Sequence, residues 1–507
     1  MRRIISIILM LSLLLSSTSC SSDADSNNSG DMEVEVNESK RLEVAELLKG
    51  DISGTIDVSC YDSVMYKNYL EEAARAFEAK YPNAKVNVST FSEAPEVKTG
   101  QNTKVITTTI DEKGQNDYIS RINTELMTGG GADILAMDIL PYYKYAENGQ
   151  LEDLNLYMDE DETFNKDDYR QNILDAVSYK GGQYIFPLEY SFNLLSYDKT
   201  LLDSNEQNNL NPYEGYTYNQ LVEMGLNSFD KLNIENSDSP VKMFSLSGGS
   251  LGSNSIFSQL LNLYYDNFVD VANRKANFNS GEFADLLKRA KEYEDKGYLN
   301  TSMQKGDKGP EMLKQNASNN YIFKTIKDTM LLQAFDDNTK GIINIGGGGM
   351  FAKDDELAGI LINEENEVVF DFMQAYGINS NSDNKKAAWE FVKFLTSEEM
   401  QNSLYILGRP INNKANEEKA KQQITGELFS PENNTGSSEL NEKQTEIYDS
   451  YMSAINKYSD MLNKYMLKDT VINQMINSEA KYFFDGSRTA EEVADILQNK
   501  VELYLNE

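Results

Sequence analysis

Apolar and polar positions alternate where the globular chain begins. Ile56, Val58 and Cys60 interleave with Thr55, Asp57 and Ser59, the period of two that predicts a half-buried strand. The period then lengthens. Tyr66, Leu70, Ala73 and Phe77 recur at spacings of four, three and four, one face of an amphipathic helix. Pro82-Asn83 stops the helix, and Val86 and Val88 resume the alternation. A strand–helix–strand unit of this kind builds parallel sheets, so the expected class is α/β. Residues 91–116 are polar and aperiodic and predict a loop insertion. Tyr118, Ile122 and Leu126 predict a second helix, closed by Gly129-Gly130-Gly131, and residues 132–137 predict a buried strand.

The stretch 181–199 organises the rest of the chain. It opens on Gly181-Gly182, runs extended through aromatic and branched residues, and ends in Tyr197-Asp198-Lys199. Pro187 removes a backbone donor, which is foreign to an ordinary central strand. Glu189 stands among apolar neighbours, where a carboxylate needs a partner. Further on, Thr217 is placed to cap a helix, residues 245–252 form a loop before a helix at 256–265, and Phe283, Leu286, Leu287 and Ala290 mark a helix closed by Gly297. Ser382 is placed to cap a helix with Ala388, Phe391, Val392 and Leu395 on one face, and Trp389 is read as core. Residues 407–412 are an extended return. Thr489 and Glu492 fit a capping box, ahead of a face formed by Val493, Ile496, Leu497, Val501 and Tyr504.

Composition narrows the chemistry. The 507 residues suffice for two or more domains, and 10% aromatics allow packed cores. A net charge of −34 with no basic stripe argues against nucleic acid. There is no His, which removes His-based triads and most zinc and copper sites. The acidic run 159–162 lacks the Gly and Glu of a calcium loop and reads as solvated surface. Gly346-Gly347-Gly348-Gly349 lacks the Lys-Ser/Thr of a phosphate loop. No cofactor is expected. The first residues read as an export signal: Arg2-Arg3, an apolar run over 4–15 too short to span a bilayer, then small residues up to Cys20. This resembles a bacterial lipoprotein signal in which Cys20 is lipidated, although Ser17 stands where the pattern usually has Leu. Residues 21–40 are polar and predict a flexible tether.

Ligands of open parallel sheets sit beyond the carboxyl ends of the strands. Tyr61 and Asp62 follow the first strand, and Asp138 and Tyr142 the strand at 132–137. Aromatic faces and carboxylates together suit sugars.

The segments in order resemble the extracellular solute-binding proteins of ABC importers, of the maltose-binding-like type. The resemblance rests on the lipoprotein-like start, Phe77-Glu78-Ala79-Lys80-Tyr81-Pro82, Gly131-Ala132-Asp133-Ile134 and the crossover from Gly182-Gln183-Tyr184 to Asp198-Lys199. It continues through Gly377-Ile378-Asn379, residues 387–395, Gly408-Arg409-Pro410-Ile411-Asn412 and the helix at 486–497, while 205–375 match poorly. It implies a two-lobed periplasmic-binding-protein-like fold (type II), with lobes joined by hinge crossover strands around a ligand cleft. By position, 1–19 are the signal and 20–50 the lipidated Cys and tether. Residues 51–192 plus 377–413 are the N-lobe, and 193–376 plus 414–507 the C-lobe. The ligand positions implied are Tyr61, Asp62, Asp138, Tyr142, Glu189, Tyr190, Ser191, Gly249 and Arg409. The resemblance implies a monomer on the outer face of the cell membrane that binds a carbohydrate, an oligosaccharide or similar polyol, and hands it to permease subunits, with no covalent chemistry.

Three other functions are compatible with the residues. A glycosidase would use paired carboxylates such as Asp62 and Glu189. A ferric-ion binder would use tyrosines, as in Tyr142-Tyr143 and Tyr264-Tyr265. A sensory lipoprotein would present its ligand to a receptor.

Overall fold

The computed structural model describes residues 28–61, 64–91, 99–100, 103–104, 111–235, 240–246, 256–299, 320–336, 351–426 and 440–507. The expected signal, Cys20, Asp62, Gly249 and the glycine run 346–349 lie outside these residues. The chain divides into two compact units, 1–49 and 50–507. The first contributes helix α1 (Asn28–Leu47). It lies within the stretch 20–50 expected as tether, and residues 28–40, expected to be flexible, are helical. Glu, Lys, Arg, Leu and Ala are good helix formers, and no proline interrupts the run.

The second unit opens with β1 (Gly54–Cys60), α2 (Val64–Lys80) and β2 (Ala84–Thr90). β1 and β2 are parallel, with Gly54 opposite Ala84 and Cys60 opposite Thr90, as the alternation predicts. Next come α3 (Glu112–Met127), β3 (Ile134–Ala136), α4 (Tyr142–Glu147) and α5 (Leu154–Glu160). α3 starts inside the expected loop because Asp111 accepts the Gly114 amide at 3.1 Å and caps it. β4 (Phe186–Pro187) and β5 (Glu189–Asp198) come after these, then α6 (Tyr218–Glu235), β6 (Lys242–Ser245), α7 (Ile256–Phe268) and α8 (Glu282–Asp295). Thr217 does cap α6: its hydroxyl accepts the Gln220 amide at 3.3 Å while Gln220 accepts the Thr217 amide at 2.9 Å. The chain continues with β7 (Tyr321–Lys327), β8 (Asp355–Leu361), β9 (Val369–Asp371), β10 (Ala375–Ile378) and α9 (Lys385–Leu395). It ends with β11 (Arg409–Pro410), α10 (Asn413–Thr425), α11 (Glu442–Met461), β12 (Lys464–Tyr465), α12 (Thr470–Phe484) and α13 (Ala490–Leu505), the last with the expected Thr489–Glu492 capping box.

The strands form two principal sheets, one in each lobe. The first has the order β2-β1-β3-β10-β4; its β1, β2 and β3 are parallel, and β10 runs antiparallel to both β3 and β4. The second is built along β5, which pairs with β7, β8, β9 and β11. One residue, Leu188, separates the sheets: Pro187 pairs with Ala375 in the first, and Glu189 with Pro410 in the second. The companion crossing spans residues 372–374, between β9 in the second sheet and β10 in the first. By sheet membership the chain therefore changes lobe at 188 and at 372–374. Gly408 lets the return strand come close, since a Cβ there would stand 3.0 Å from the Tyr190 carbonyl oxygen and 2.9 Å from the Glu189 carboxylate.

The lobes also touch at one end of α12. Tyr143 of α4 donates to Asp469 Oδ2 at 2.8 Å, and Tyr504 of α13 donates to the same oxygen at 3.0 Å. Asp469 Oδ1 meanwhile caps α12 by accepting the amides of Val471 and Ile472.

Two local expectations change. Ser382 does not cap α9; Asn384 holds that position, and Ser382 instead accepts the Asn384 amide at 3.0 Å and donates to Asp133. The run 159–162 is solvated only in part. Asp161 turns inward, accepting Trp389 Nε1 at 2.9 Å and Lys393 Nζ at 2.6 Å. Trp389 is fully buried, as expected, beside Tyr157 and Phe164. Burial by itself raises Asp161, but hydrogen bonds from Lys393, Thr163 and Trp389 outweigh it and hold the carboxyl at about 2.

Asp161→Asn removes one carboxylate of this largely buried cluster and leaves Lys393 with Glu390, at 3.0 Å, as its remaining partner. We expect a loss of ~2 kcal/mol at neutral pH, read by denaturant unfolding with the single Trp389 as fluorophore. Because the folded carboxyl is held down, its contribution is present above ~3.9 and is lost as pH falls through about 2. The deficit of the variant should shrink over that window; a constant deficit would contradict the assignment.

Candidate functional site

The two crossings bring side chains from five segments together. Ser191 in β5 and Asp371 in β9 are register partners. Lys327, at the end of β7 opposite Asn193, donates to Ser191 Oγ at 3.3 Å. Lys468 arrives after β12, whose chain stays in register with β9 through the Met466 amide and the Phe370 carbonyl at 3.2 Å. Asp138 arrives from the other lobe: the preceding Met137 amide bonds the Ala375 carbonyl at 2.9 Å. Tyr66 of α2 donates to the Met373 carbonyl at 2.6 Å. Burial pushes its phenol well up, and the charges of Asp138, Glu189 and Asp371 add to the shift, as their common neighbourhood requires.

Asp138, Ser191, Lys327, Asp371 and Lys468 all keep some accessible surface. Yet burial dominates the titration of the three whose shifts are resolved. It lifts Asp138 to about 7 against hydrogen bonds from its own amide and that of Ile139. It raises Asp371 despite Lys468 and Lys327 nearby. It lowers Lys468 to about 8, with Asp371 opposing and Lys327 assisting. Groups that are both reachable and desolvated line a narrow crevice rather than an open face. Asp138 Oδ1 is buried there with no hydrogen-bond partner among the described residues. Phe372 and Tyr465 stack at the crevice with centroids 4.6 Å apart and planes 13° from parallel.

Beneath lies a sealed layer. Arg409 pairs with Asp328 at 2.6 Å through Nε, donates to the Asp328 carbonyl at 2.7 Å and to the Tyr451 hydroxyl at 3.0 Å. Asp328 Oδ1 receives the Ser191 hydroxyl at 3.0 Å and the Phe192 amide at 3.1 Å, which links this layer to the crevice. Glu189 accepts the Gly408 amide and faces Lys419; burial pushes Glu189 up and Lys419 down, and their mutual attraction opposes both shifts.

The arrangement can hold a polar molecule from two sides, with hydroxyl-bonding groups, ammonium groups and stacked rings converging where two sheets meet. Residues 72–430 match the family described as bacterial extracellular solute-binding protein. The chain belongs to this family. No curated protein matches the sequence. Solved structures with similar folds include an extracellular solute-binding protein of family 1 from Alicyclobacillus acidocaldarius, at 14% identity and TM-score 0.53, covering 90% of this chain and all (100%) of that one. Maltose-bound MalE3 of T. maritima, at 15% and 0.52, covers 89% of this chain and 99% of its own. A periplasmic oligogalacturonide-binding protein of Yersinia enterocolitica, at 14% and 0.53, has the same coverage of 89% and 99%. At such identities these likenesses show the two-lobed fold of solute-binding proteins.

Within this solute-binding protein the residues picked out from the sequence fall into distinct places. Asp138 and Ser191 line the crevice. Tyr61 is half-buried among Phe91 and Tyr118, with ring centroids at 6.3 and 5.7 Å. Tyr142 is buried and gives its hydroxyl to the Val177 carbonyl at 3.1 Å. Glu189 and Arg409 belong to the sealed layer, as does Tyr190, whose hydroxyl meets Ser459 Oγ at 2.9 Å. Sequence reasoning passed over Lys327, Asp371 and Lys468. The signal that singled out Glu189, a charge inside an apolar run, was also present in Phe370-Asp371-Phe372 and in Ile326-Lys327. The tyrosine pairs considered for ferric ion are engaged elsewhere: Tyr143 with Asp469, Tyr264 with Glu364, and Tyr265 with the Asp469 amide at 3.3 Å. Burial raises all four phenols, which opposes the phenolate that such a metal needs.

Asp138 carries a testable cost. Its folded value lies above the ordinary one, so the folded state holds the extra proton, and stability declines as pH rises from ~3.9 to about 7. Asp138→Asn should stabilise the ligand-free protein by ~2 kcal/mol at pH 8 and have little effect at pH 4. Urea unfolding at the two pH values reads this, and equal effects at both would refute a desolvated carboxyl.

Proposed function

We propose that this solute-binding protein captures a carbohydrate, an oligosaccharide by preference, in the crevice between its lobes and delivers it to the permease of an ABC importer. The observation that carries the reading is the crevice itself: Asp138 with a buried, unpartnered oxygen, Ser191, and the Phe372–Tyr465 stack, set where the crossing strands join the lobes of a family member. A buried acceptor without a partner favours a ligand hydroxyl, and stacked rings favour the C–H face of a sugar. Neighbours of the same fold described as maltose-bound and as oligogalacturonide-binding support the ligand class. Cys20, lipidated after signal removal, tethers the protein to the outer face of the membrane, and α1 belongs to the tether. The protein works as a monomer, carries no cofactor and performs no covalent chemistry: Glu189, the acid considered for a glycosidase, is sealed against Gly408 and Lys419. Asp62 and Gly249 remain proposed ligand neighbours.

A thermal-shift panel of saccharides tests this. One class should stabilise the protein saturably, by ~2.7 kcal/mol at a hundredfold excess over Kd, and Ser191→Ala should weaken that binding. A broad panel that leaves the melting temperature unchanged, or the appearance of cleaved sugar, would reject the reading. Lipidation is checked by the mass of the membrane-extracted protein with Cys20 intact and with Cys20→Ser.

A further inference from the structure

The fold is shared by proteins described as binding a neutral sugar and an acidic one, so it does not choose between them. The residues of this chain do. Lys327 and Lys468 each present an ammonium with three donors to the crevice. Among the described residues, the one hydrogen bond of Lys327 Nζ is to the Ser191 hydroxyl, and that of Lys468 Nζ is to the amide oxygen of Asn262. Neither ammonium forms an ion pair with a described carboxylate. By contrast Lys324 and Arg409 have carboxylates at contact distance, Asp355 at 2.6 Å and Asp328 at 2.6 Å, while the buried Lys419 is bonded to the Ile406 carbonyl. Asp371 attracts both lysines, but its own Oδ1 accepts the Phe372 amide at 2.8 Å.

The charges facing the crevice are Asp138, Asp371, Lys327 and Lys468; Glu189 with Lys419 and Asp328 with Arg409 are internally balanced beneath it. Lys327 and Lys468 therefore face Asp371, which attracts both, and an Asp138 that burial drives toward its neutral form. Two half-satisfied ammoniums in a desolvated crevice are costly unless an anion completes them.

We propose that the ligand is an anionic saccharide, its acid group held by Lys327 and Lys468 while Asp138 and Ser191 take hydroxyls. This deepens the carbohydrate reading and rests on it. The shared chemistry is an anionic substituent on a sugar, a uronate carboxylate or a sulfate ester.

The test is calorimetric titration of the protein with trigalacturonate, with its methyl ester, with a sulfated disaccharide and with maltotriose. Trigalacturonate or the sulfated disaccharide should bind at least tenfold tighter than the methyl ester and maltotriose. Lys468→Met and Lys327→Met should each weaken the acidic ligand at least tenfold more than the neutral ester. That difference between ligands, with cooperative unfolding retained, separates a lost contact from a lost fold; Lys468→Gln serves if the methionine variant does not fold. Equal affinity for ester and acid, preference for maltotriose, or acid binding indifferent to both lysine variants would overturn the proposal and leave the carbohydrate reading standing. No binding of any of the four sugars would overturn both.

Discussion

The backbone around Leu188 is the constraint on which the second unit depends. A chain that leaves one sheet and enters another after a single residue must satisfy that residue's amide and carbonyl outside either ladder. Leu188 does so by bonding all the crossing segments to one another. Its amide goes to the Gln374 carbonyl at 2.9 Å, and its carbonyl accepts the Ile411 amide at 3.0 Å and Gln401 Nε2 at 2.7 Å. Pro187 fits because its missing donor falls at the last residue of the two-residue β4. The two crossings and the return strand are thereby bound side by side, and whatever moves one lobe against the other must move through them. Hinge closure of this kind recurs in two-lobed binding proteins.

The same convergence explains why the crevice is polar and the layer beneath it is balanced. Crossing strands carry side chains from both sheets into a volume too enclosed for free hydration. Charges there survive only in pairs or with something to bind. Arg409 and Asp328 form such a pair, and the bonds from Ser191 and Phe192 to Asp328 fix β5 to it. Glu189 and Lys419 attract one another at longer range, Glu189 accepting the Gly408 amide and Lys419 donating to the Ile406 carbonyl, and the lack of a side chain on Gly408 permits the approach. The groups left over, Asp138, Lys327 and Lys468, have no ion pair among the described residues and suit a partner that is not part of the chain.

Much of the first lobe was legible because its elements are regular. The β1–α2–β2 unit is dictated by a period of two, a period of three to four, and a Pro-Asn break. Caps at Thr217 and Thr489 were readable because a capping box is a local pairing of side chain and amide. Ser382 was misread for the converse reason: its hydroxyl is recruited by Asp133, a residue 249 positions away. Asp161 likewise looked like surface in an acidic run, and only α9 packing against it makes it the partner of Trp389 and Lys393. The candidate site was legible in Asp138 and Ser191, which lie where strand ends and crossovers fall. Lys327, Asp371 and Lys468 were not, because the strands that deliver them belong to the part of the chain with weak periodicity.

By itself the sequence determined the class of fold and the chemistry that a chain without His has lost, since these depend on local periodicity and on residue inventory. It also determined that the stretch 181–199 is a crossing with an acid in need of a partner. Tertiary structure decided who the partners are. Glu189 went to Gly408 and Lys419, inside the sealed layer, while Ser191, two residues on, faced the crevice with Lys327 and Asp371. Residues two apart in a strand share a face, so alternation gives no sign that one of these would be sealed and the other left facing the crevice. That depends on what the other strands bring, and here they come from residues more than a hundred positions apart, held together by the ladder along β5.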